Sequence, residues 1–394
     1  MSTTLKKRDP RLIGAGAAAP LVILLAGNAA ADDSVSWSLA YTGDVIAGWN
    51  DEIDASGAYL DNLDLVMDAD LGAIGGWRGA TLHAHVLNNA GAAPNDRLGT
   101  LQGVDNIEVS RERLRLFEFW VEQAWDGGSI RAGLYDLNSE FYANDAAGLL
   151  IAPAFGIGSE LAATGANGPS IFPSTALAAR GRFETSEHGS LMVAVLNANA
   201  GVIGDPGSVD TDFDEGALVI GEYAWTGSGK IAFGAWGYTD DQDDIRELDL
   251  GGDPVQRDAR GAYVAFEHPI RAGVDGFARI GVSDGDTTPY AGGWQAGLLV
   301  DRPLASRPDS QISVGAYQGV LSDKHRANEA DVGIRAARAE TGIELTYSDR
   351  ITPWLRVQPD LQIVLDPGGD RDRDHVWVVG LRFEITPFQS PWEG

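Results

Sequence analysis

The chain carries polar and aromatic side chains at a spacing suited to a binding surface. Glu118, Trp120 and Glu122 occupy alternate positions of one run, and Arg131 and Tyr135 share a parity in the next. Because strand side chains point alternately to opposite faces, each set lies on one face of its strand. We expect these side chains to form a charged surface that faces water. The alternative is that these charges form cross-strand pairs that fix the strand register.

Two other groups have a spacing that metal ligands use. His83 and His85 lie two apart on one strand face, but no third ligand is identifiable from the sequence. We therefore favour histidines that line a wet surface. The segment 210–216 has alternating aspartates like a calcium loop, but its glycine is displaced from the EF-hand position. An exposed acidic loop is the favoured interpretation, with structural calcium as the alternative. We expect no metal and no cofactor.

The elements that hold these residues are predicted to be strands. In the last run Trp377, Val379 and Leu381 fall on one face and Arg382 and Glu384 on the other. About 16 such runs predict an all-β chain. Their predicted spans are 35–46, 59–71, 80–87, 113–125, 129–136, 177–185, 190–197, 217–225, 230–239, 261–269, 276–283, 293–301, 311–318, 339–348, 354–365 and 375–388.

The connections between the runs decide between a soluble β-sandwich and a membrane barrel. Short turns follow the fourth, sixth and eighth runs, and long loops follow the third, fifth, seventh and ninth. Short turns at one rim and long loops at the other are typical of a transmembrane antiparallel up-and-down β-barrel. The loop 137–176 is rich in small and apolar residues, so we expect it to fold inward and narrow the lumen. In the fourth run, the shared parity of Arg115, Phe117 and Phe119 predicts a bulge or an exit from the membrane.

Face assignment and charge agree with a barrel. One face of each run is apolar and the other carries residues such as Asp64, Arg180 and Arg279, which a wet channel tolerates and a packed core does not. The formal net charge of −28 excludes nucleic acid as a partner class, because phosphate binding needs basic patches. Residues 1–31 have a basic head, an apolar core and small residues before Asp32, which predicts a cleavable export signal before a barrel domain 32–394.

Several segments together resemble the carbohydrate-selective porin family, OprB. The matching segments are 76–80, 115–123, 131–135, 340–347, 358–362, 366–369 and 380–383. The chain departs from the family at Leu134, where a lysine is often found, and in the residues that follow Phe388, the aromatic residue that assembly machinery commonly reads.

The resemblance implies a passive outer-membrane channel for monosaccharide-sized carbohydrates. Sugar hydroxyls suit bidentate arginine and carboxylate hydrogen bonds, and sugar ring faces stack on aromatic side chains. The implied partners are carbohydrates, outer-membrane lipid and the barrel-assembly machinery, with a homotrimer as an open possibility. The implied pore-lining or sugar-contact residues are Glu118, Trp120, Glu122, Arg131, Tyr135, Arg182, Glu340, Glu344, Arg356, Asp360, Gln362 and Arg382.

Other functions have weaker support in the sequence. A general or ion-selective diffusion porin without sugar preference is the main alternative. The segment 227–230 is similar to the end of a phosphate loop, but no helix follows it, so we expect a hairpin turn. An outer-membrane barrel enzyme such as a lipase would need a nucleophile, and the nearest pair, Ser190 with His188, lies at a predicted short turn. We do not expect an enzyme.

Overall fold

The computed structural model describes residues 34–53, 57–165, 167–202, 205 and 208–389. The predicted export signal 1–31 lies outside these residues. The strands are β1 (Val35–Trp49), β2 (Ala58–Asp70), β3 (Ala80–Gly91), β4 (Arg113–Trp125), β5 (Gly128–Tyr135), β6 (Ala176–Glu184), β7 (Gly189–Asn197), β8 (Ala217–Thr226), β9 (Lys230–Tyr238), β10 (Gln242–Leu248), β11 (Pro254–Arg257), β12 (Arg260–Arg271), β13 (Val274–Ser283), β14 (Tyr290–Asp301), β15 (Gln311–Leu321), β16 (Ala339–Thr352), β17 (Leu355–Leu365) and β18 (Val376–Gln389).

The sheet closes on itself. Every strand except β10 and β11 belongs to one antiparallel barrel of 16 strands in the described residues, and β1 pairs with β18 to complete the ring. Closure pairs both edges of every barrel strand in the described residues, which the apolar interior of a membrane requires. The predicted all-β transmembrane barrel is confirmed, and each predicted run coincides with one barrel strand.

The outer face is apolar and exposed, as the alternation predicts. On β18 the side chains of Trp377, Val379 and Leu381 are exposed, whereas Val378 between them is buried. The predicted bulge in β4 is also confirmed, because the pairing of β3 with β4 skips one residue at Phe117. The bulge leaves Phe117 buried on the inside while Phe119 stays exposed on the outside.

The helices are short and lie in connections. They are α1 (Leu71–Gly75), α2 (Pro94–Leu98), α3 (Ser159–Ala162) and α4 (Asp323–Asp331). In the described part of the chain, no helix is long and apolar enough to cross a membrane. The connection after the ninth run, residues 240–260, was predicted only as a long loop and contains the hairpin of β10 and β11. The pairing of β10 with β11 is short and irregular, and a short, irregular pair of strands leaves no sustained alternation in the sequence. Lys324 of α4 holds the hairpin in place by an ion pair with Asp244.

The inner wall is not polar throughout. Leu60 and Val378 point inward and pack against Leu98 of α2. Leu196 and Ile220 pack in the same way in a cluster that contains Leu161 of α3. These inward apolar patches are the places where loops are folded into the barrel, because buried apolar contact favours docking of the loop over its hydration.

Candidate functional site in the lumen

The segment 136–175 between β5 and β6, here called the constriction loop, lies against the inner wall. Glu344 of β16 accepts hydrogen bonds from the backbone amides of Ile151 at 2.5 Å and Ala152 at 2.9 Å. Glu222 of β8 accepts one from the backbone amide of Tyr142 at 2.9 Å. Buried backbone amides need such partners, so the inward carboxylates of distant strands hold the loop across the lumen.

Arg279 of β13 holds the same loop by its carbonyl groups. Its guanidinium donates to the carbonyl oxygens of Tyr142 at 2.5 Å and Gly156 at 2.7 Å. It also donates to the carbonyl oxygen of Phe155 and to the side chain of Gln295. The arginine is 2% exposed. One buried cation therefore joins several points of the constriction loop to the barrel wall.

A stacked pair of tyrosines lies beside this anchor. The rings of Tyr142 and Tyr263 are parallel with centroids 3.7 Å apart, and the hydroxyl of Tyr142 donates to Glu160 at 2.7 Å. Burial raises the pKa of Glu160 above its ordinary value, although the hydrogen bond from Tyr142 opposes the shift. A Cβ atom at Gly281 of β13 would collide with the Glu160 carboxylate and the Tyr142 hydroxyl. Glycine at this position permits the close approach of the loop to the wall.

The segment 92–112 between β3 and β4, here called the second inner loop, has its own acceptors on the wall. Glu340 of β16 accepts hydrogen bonds from the backbone amides of Leu101 and Gln102, both at 2.8 Å. Gln362 of β17 donates to the carbonyl oxygen of Val104 at 2.8 Å. Both wall residues are fully or almost fully buried. Two loops therefore fill part of the lumen, and each is fixed by inward polar side chains.

Arg382 lies where the second inner loop meets the pairing of β1 with β18, the seam at which the barrel closes. It donates to both carboxylate oxygens of Asp44 and to the side-chain oxygen of Asn106 at 2.7 Å. Asp105 on the same loop is 3.6 Å from the guanidinium. Burial and then the nearby Asp44 raise the pKa of Asp105 well above its ordinary value, and Arg382 opposes that shift.

The residues from β4 and β5 that the sequence grouped together do meet. Glu122 accepts from Arg131 at 2.7 Å and from Arg180 at 3.0 Å. Arg180 also donates to Glu140 of the constriction loop at 2.8 Å. The guanidinium carbon of Arg131 lies 3.6 Å from the ring centroid of Trp120, a cation–π contact. These groups form a paired charge network on the inner wall.

Glu118 is part of a second group on β3 and β4. One of its carboxylate oxygens accepts from Trp120 and from the backbone amide of Asp136, each at 3.1 Å. Burial and then the charge of Glu118 raise the pKa of Asp136, just beyond β5, to about 7. Within the described residues, His83, His85 and Glu118 form a group with metal-ligand character, since one ligand atom of each lies within 4.8 Å of the others.

An open cavity of about 500 Å³ remains between the two loops and the wall. Its described lining residues are Thr42, Asn62, Asp64, His85, Leu87, Asn106, Ile107, Phe117, Asp145, Gly148, Leu149, Phe172, Leu299, Gln311, Arg356, Gln358, Arg382 and Glu384. The lining combines guanidinium groups, carboxylates and amides with the rings of Phe117 and Phe172, which lie 6.1 Å apart. Such a surface offers both hydrogen bonds and apolar contact to a small polar solute.

The residues predicted as sugar contacts have different positions. Arg356 and Arg382 line the cavity. Arg182 is exposed and pairs with Glu184 at 3.2 Å, near a short turn. The remaining predicted residues are buried or half-buried in the wall or under the loops, namely Glu118, Trp120, Glu122, Arg131, Tyr135, Glu340, Glu344, Asp360 and Gln362. For these, a contact with solute remains a prediction.

Four of the cavity residues, Asn62, Asp64, Asn106 and Phe172, are not among the predicted solute contacts. Asn62 and Asp64 had the inward parity of β2, and this parity was the available signal. Asn106 and Phe172 come from loops, where no periodicity indicates which side chain faces the lumen.

Comparison with known proteins identifies similar chains. A family model described as carbohydrate-selective porin, OprB family, matches residues 54–386. Porin B of Pseudomonas aeruginosa is 22% identical over 402 residues, which cover 89% of this chain and 87% of Porin B.

Solved structures share the architecture. The high-pH structure of Pseudomonas putida OprB has a TM-score of 0.79 at 22% identity and covers 90% of this chain and 94% of that chain. The anion-selective porin from Comamonas acidovorans has a TM-score of 0.54 at 12% identity and covers 90% of this chain and 99% of that chain. At such identities the structural likeness shows the fold alone.

Proposed function

The chain belongs to the carbohydrate-selective porin family, OprB, and we propose that its lumen passes monosaccharide-sized neutral sugars by passive diffusion. It is a sugar-selective channel of the bacterial outer membrane. The family and the closed barrel point to a channel rather than an enzyme. We include in the proposal export through the signal 1–31 and insertion by the barrel-assembly machinery.

The cavity between the loops is the observation that carries the proposal. Its volume of about 500 Å³ falls among small-molecule sites, which span roughly 300–1,000 Å³. Arg356 and Arg382 offer guanidinium donors, and Asp64 and Glu384 offer carboxylate acceptors, for sugar hydroxyls. The ring of Phe172 offers an apolar surface for a sugar ring.

Pairing within the wall explains how a charged lumen can favour a neutral solute. Arg382 is already bound to Asp44, and Arg356 donates to Ser348 at 3.0 Å. These guanidinium groups already donate hydrogen bonds to wall residues. A passing sugar therefore competes with those partners for the donors, so each of its contacts is weak. Weak and repeated contacts allow the solute to leave as readily as it enters.

The constriction loop sets the size limit in this proposal. Its anchors include residues of strands as far apart as β8, β12, β13 and β16, so the loop is held on several sides of the lumen. We propose that the passage left beside the loop admits monosaccharides and retards longer oligosaccharides. Arg279 and Glu344 are then positioning residues for the constriction, because they hold the loop in place.

Planar-bilayer recordings test this function. Glucose added to one side should reduce the conductance of wild-type channels in KCl in a saturable way, because the sugar occupies the ion path. A non-sugar polyol of similar size is the control solute and should reduce it less at equal concentration. Conductance that responds equally to both solutes, together with steep ion selectivity, would instead identify a general or ion-selective porin.

A further inference from the structure

We propose that the inner wall binds one divalent transition-metal ion, with zinc as the reference ion, through His83, His85 and Glu118. This site goes beyond the sugar channel, because sugar diffusion needs no metal. Imidazole nitrogen and carboxylate oxygen are ligands that zinc accepts, and three protein ligands with one open position are a known zinc arrangement.

The register of the strands brings the three ligands together. His85 of β3 is the direct cross-strand neighbour of Glu118 of β4, and His83 is two residues further along the same face. One ligand atom of each lies within 4.8 Å of the others, and His83 Nε2 is 3.7 Å from Glu118 Oε2. Tetrahedral zinc with bonds of ~2 Å would hold its ligand atoms ~3.3 Å apart. Small side-chain movements would therefore bring the three ligand atoms to bonding distance of one ion.

Two of the atoms that would face the ion, one on His83 and one on Glu118, have no hydrogen-bond partner in the described structure. His83 Nε2 is buried and has no hydrogen-bond partner. Glu118 receives its hydrogen bonds from Trp120 and Asp136 on Oε1, which leaves Oε2 directed at His83. A buried polar atom without a partner is costly, and native structures usually explain each one. A metal ion would supply the missing partner.

Both histidines have the outer partners that metal-binding histidines usually have. Asp68 of β2 lies 2.7 Å from Nδ1 of His83, and Asp64 lies 2.8 Å from Nε2 of His85. A carboxylate on one ring nitrogen fixes the proton there and leaves the lone pair of the other nitrogen free for a metal. In His83 the free nitrogen is Nε2, the buried atom without a partner.

Aromatic packing holds the imidazoles in place. His83 stacks on Trp120 with ring centroids 4.6 Å apart and an interplanar angle of 10°. The ring of His85 meets Phe117 edge to face at 5.2 Å. Ligands whose rotamers are fixed by packing lose little freedom when an ion binds, which favours affinity.

The proposed site lies beside the cavity. His85 belongs to the cavity lining, so an ion bound to it would lie at the edge of the lumen. A bound dication would add positive charge beside the acidic groups Asp64 and Glu384. We therefore expect zinc to shift the ion preference of the channel away from cations.

Zinc binding to the purified barrel tests the site directly. Wild-type protein in detergent, stripped with EDTA and titrated with zinc chloride in a calorimeter, should bind one zinc ion per chain, whereas magnesium chloride should give no such binding. His83→Gln should weaken zinc binding at least tenfold. Asp68→Asn, which keeps all three ligands, should weaken it by about 10–100-fold. Each variant is first checked for the heat-dependent electrophoretic shift of a folded barrel.

The matched control is His268→Gln, because His268 stacks on Phe266 of the outer face and lies far from the three ligands in the barrel order. This variant should bind zinc like wild type. As a second measurement, the reversal potential of each channel is compared with and without zinc, and only variants with the ligands intact should respond. The proposal is overturned if wild type binds no stoichiometric zinc, if folded His83→Gln and Asp68→Asn bind it like wild type, or if His268→Gln loses it equally.

Discussion

Arg382 of the last strand and Asp44 of the first are direct cross-strand neighbours joined by a two-pronged salt bridge across the barrel seam. The guanidinium Nη2 lies 2.6 Å from Asp44 Oδ2, and Nε lies 2.9 Å from Oδ1. Asp44 is 3% exposed. The pair therefore joins the two ends of the sheet inside the lumen, at the point where the second inner loop also docks.

Replacing Arg382 should weaken the barrel. Arg382→Gln leaves the buried carboxylates of Asp44 and Asp105 without their cation, and breaking a buried ion pair in this way costs about 3–5 kcal/mol. Equilibrium unfolding in urea, followed by tryptophan fluorescence in lipid vesicles, measures the loss.

Arg182→Gln is the matched control. Arg182 and Glu184 are each nearly half exposed and 3.2 Å apart, and such surface pairs contribute about 0.2–1 kcal/mol. Equal losses in the two variants would show that the seam pair has no special role.

Removing the anchor of the constriction loop should widen the channel. Arg279→Met deletes hydrogen bonds to three backbone carbonyl groups of the loop and leaves those carbonyls partly unsatisfied. Single-channel conductance should rise, and a disaccharide should enter liposomes faster relative to glucose.

The control for this change is Arg260→Met. Arg260 is at the start of β12 and has a largely exposed side chain 3.5 Å from that of Asp258, so its loss should leave conductance unchanged. Unchanged size selectivity in folded Arg279→Met channels would refute the role of the loop as the constriction.

Sugar affinity should depend on the ring of Phe172. Phe172→Ala removes an apolar surface from the cavity, and aromatic contacts of this kind are worth about 0.5–1.5 kcal/mol. Half-maximal block of conductance by glucose should therefore need about 2–10-fold more sugar. Phe183→Ala alters an exposed ring on the outer face and should have no effect. If glucose blocks folded Phe172→Ala channels as well as it blocks wild type, the ring of Phe172 is not part of the sugar site.

The β10–β11 hairpin should stay docked on α4 over a wide pH range. Burial opposes ionisation of Asp244, but hydrogen bonds from Lys324 and from the amides of Glu247 and Arg246 outweigh it and lower the pKa to about 2. Because this folded pKa is below the ordinary 3.8, the stabilisation is present above that value and is lost as pH falls through about 2. For Lys324, burial opposes the charged form, but its carboxylate partners raise the pKa above 10.5, so its contribution is lost only at strongly alkaline pH.

Hydrogen–deuterium exchange of residues 242–257 measures that docking. At neutral pH the exchange should be faster in Asp244→Asn than in wild type. The neighbouring Asp243→Asn should not differ, because Asp243 is exposed and bonds only Gln256 among the described residues. Opening of the wild-type hairpin between pH 5 and 9 would contradict the assignment.

Local periodicity predicted the strands and the two faces of each. Trp377 and Arg382 already had opposite parity in the sequence. The shared parity of Arg115 and Phe119 predicted a bulge or a membrane exit in the fourth run, and the structure has the bulge, at Phe117. Each of these signals depends on residues a few positions apart. The alternation of short and long connections then distinguished a membrane barrel from a sandwich.

The structure of the lumen could be predicted only in part, because the loops and wall residues that meet there are far apart in the sequence. Parity placed Glu344 inside but could not show that it binds the amides of Ile151 and Ala152. Likewise, no sequence pattern joins Glu118 to His83, since the strand register that brings them together depends on the bulge. Loop residues such as Phe172 carry no periodic signal at all.

Liposome swelling with neutral sugars of increasing size is the most direct test of a sugar channel narrowed by its own loops. Glucose should enter wild-type proteoliposomes much faster than a trisaccharide, and Arg279→Met should reduce that difference. Glucose entry no faster than in protein-free liposomes, or equal entry of both sugars into wild-type proteoliposomes, would contradict it.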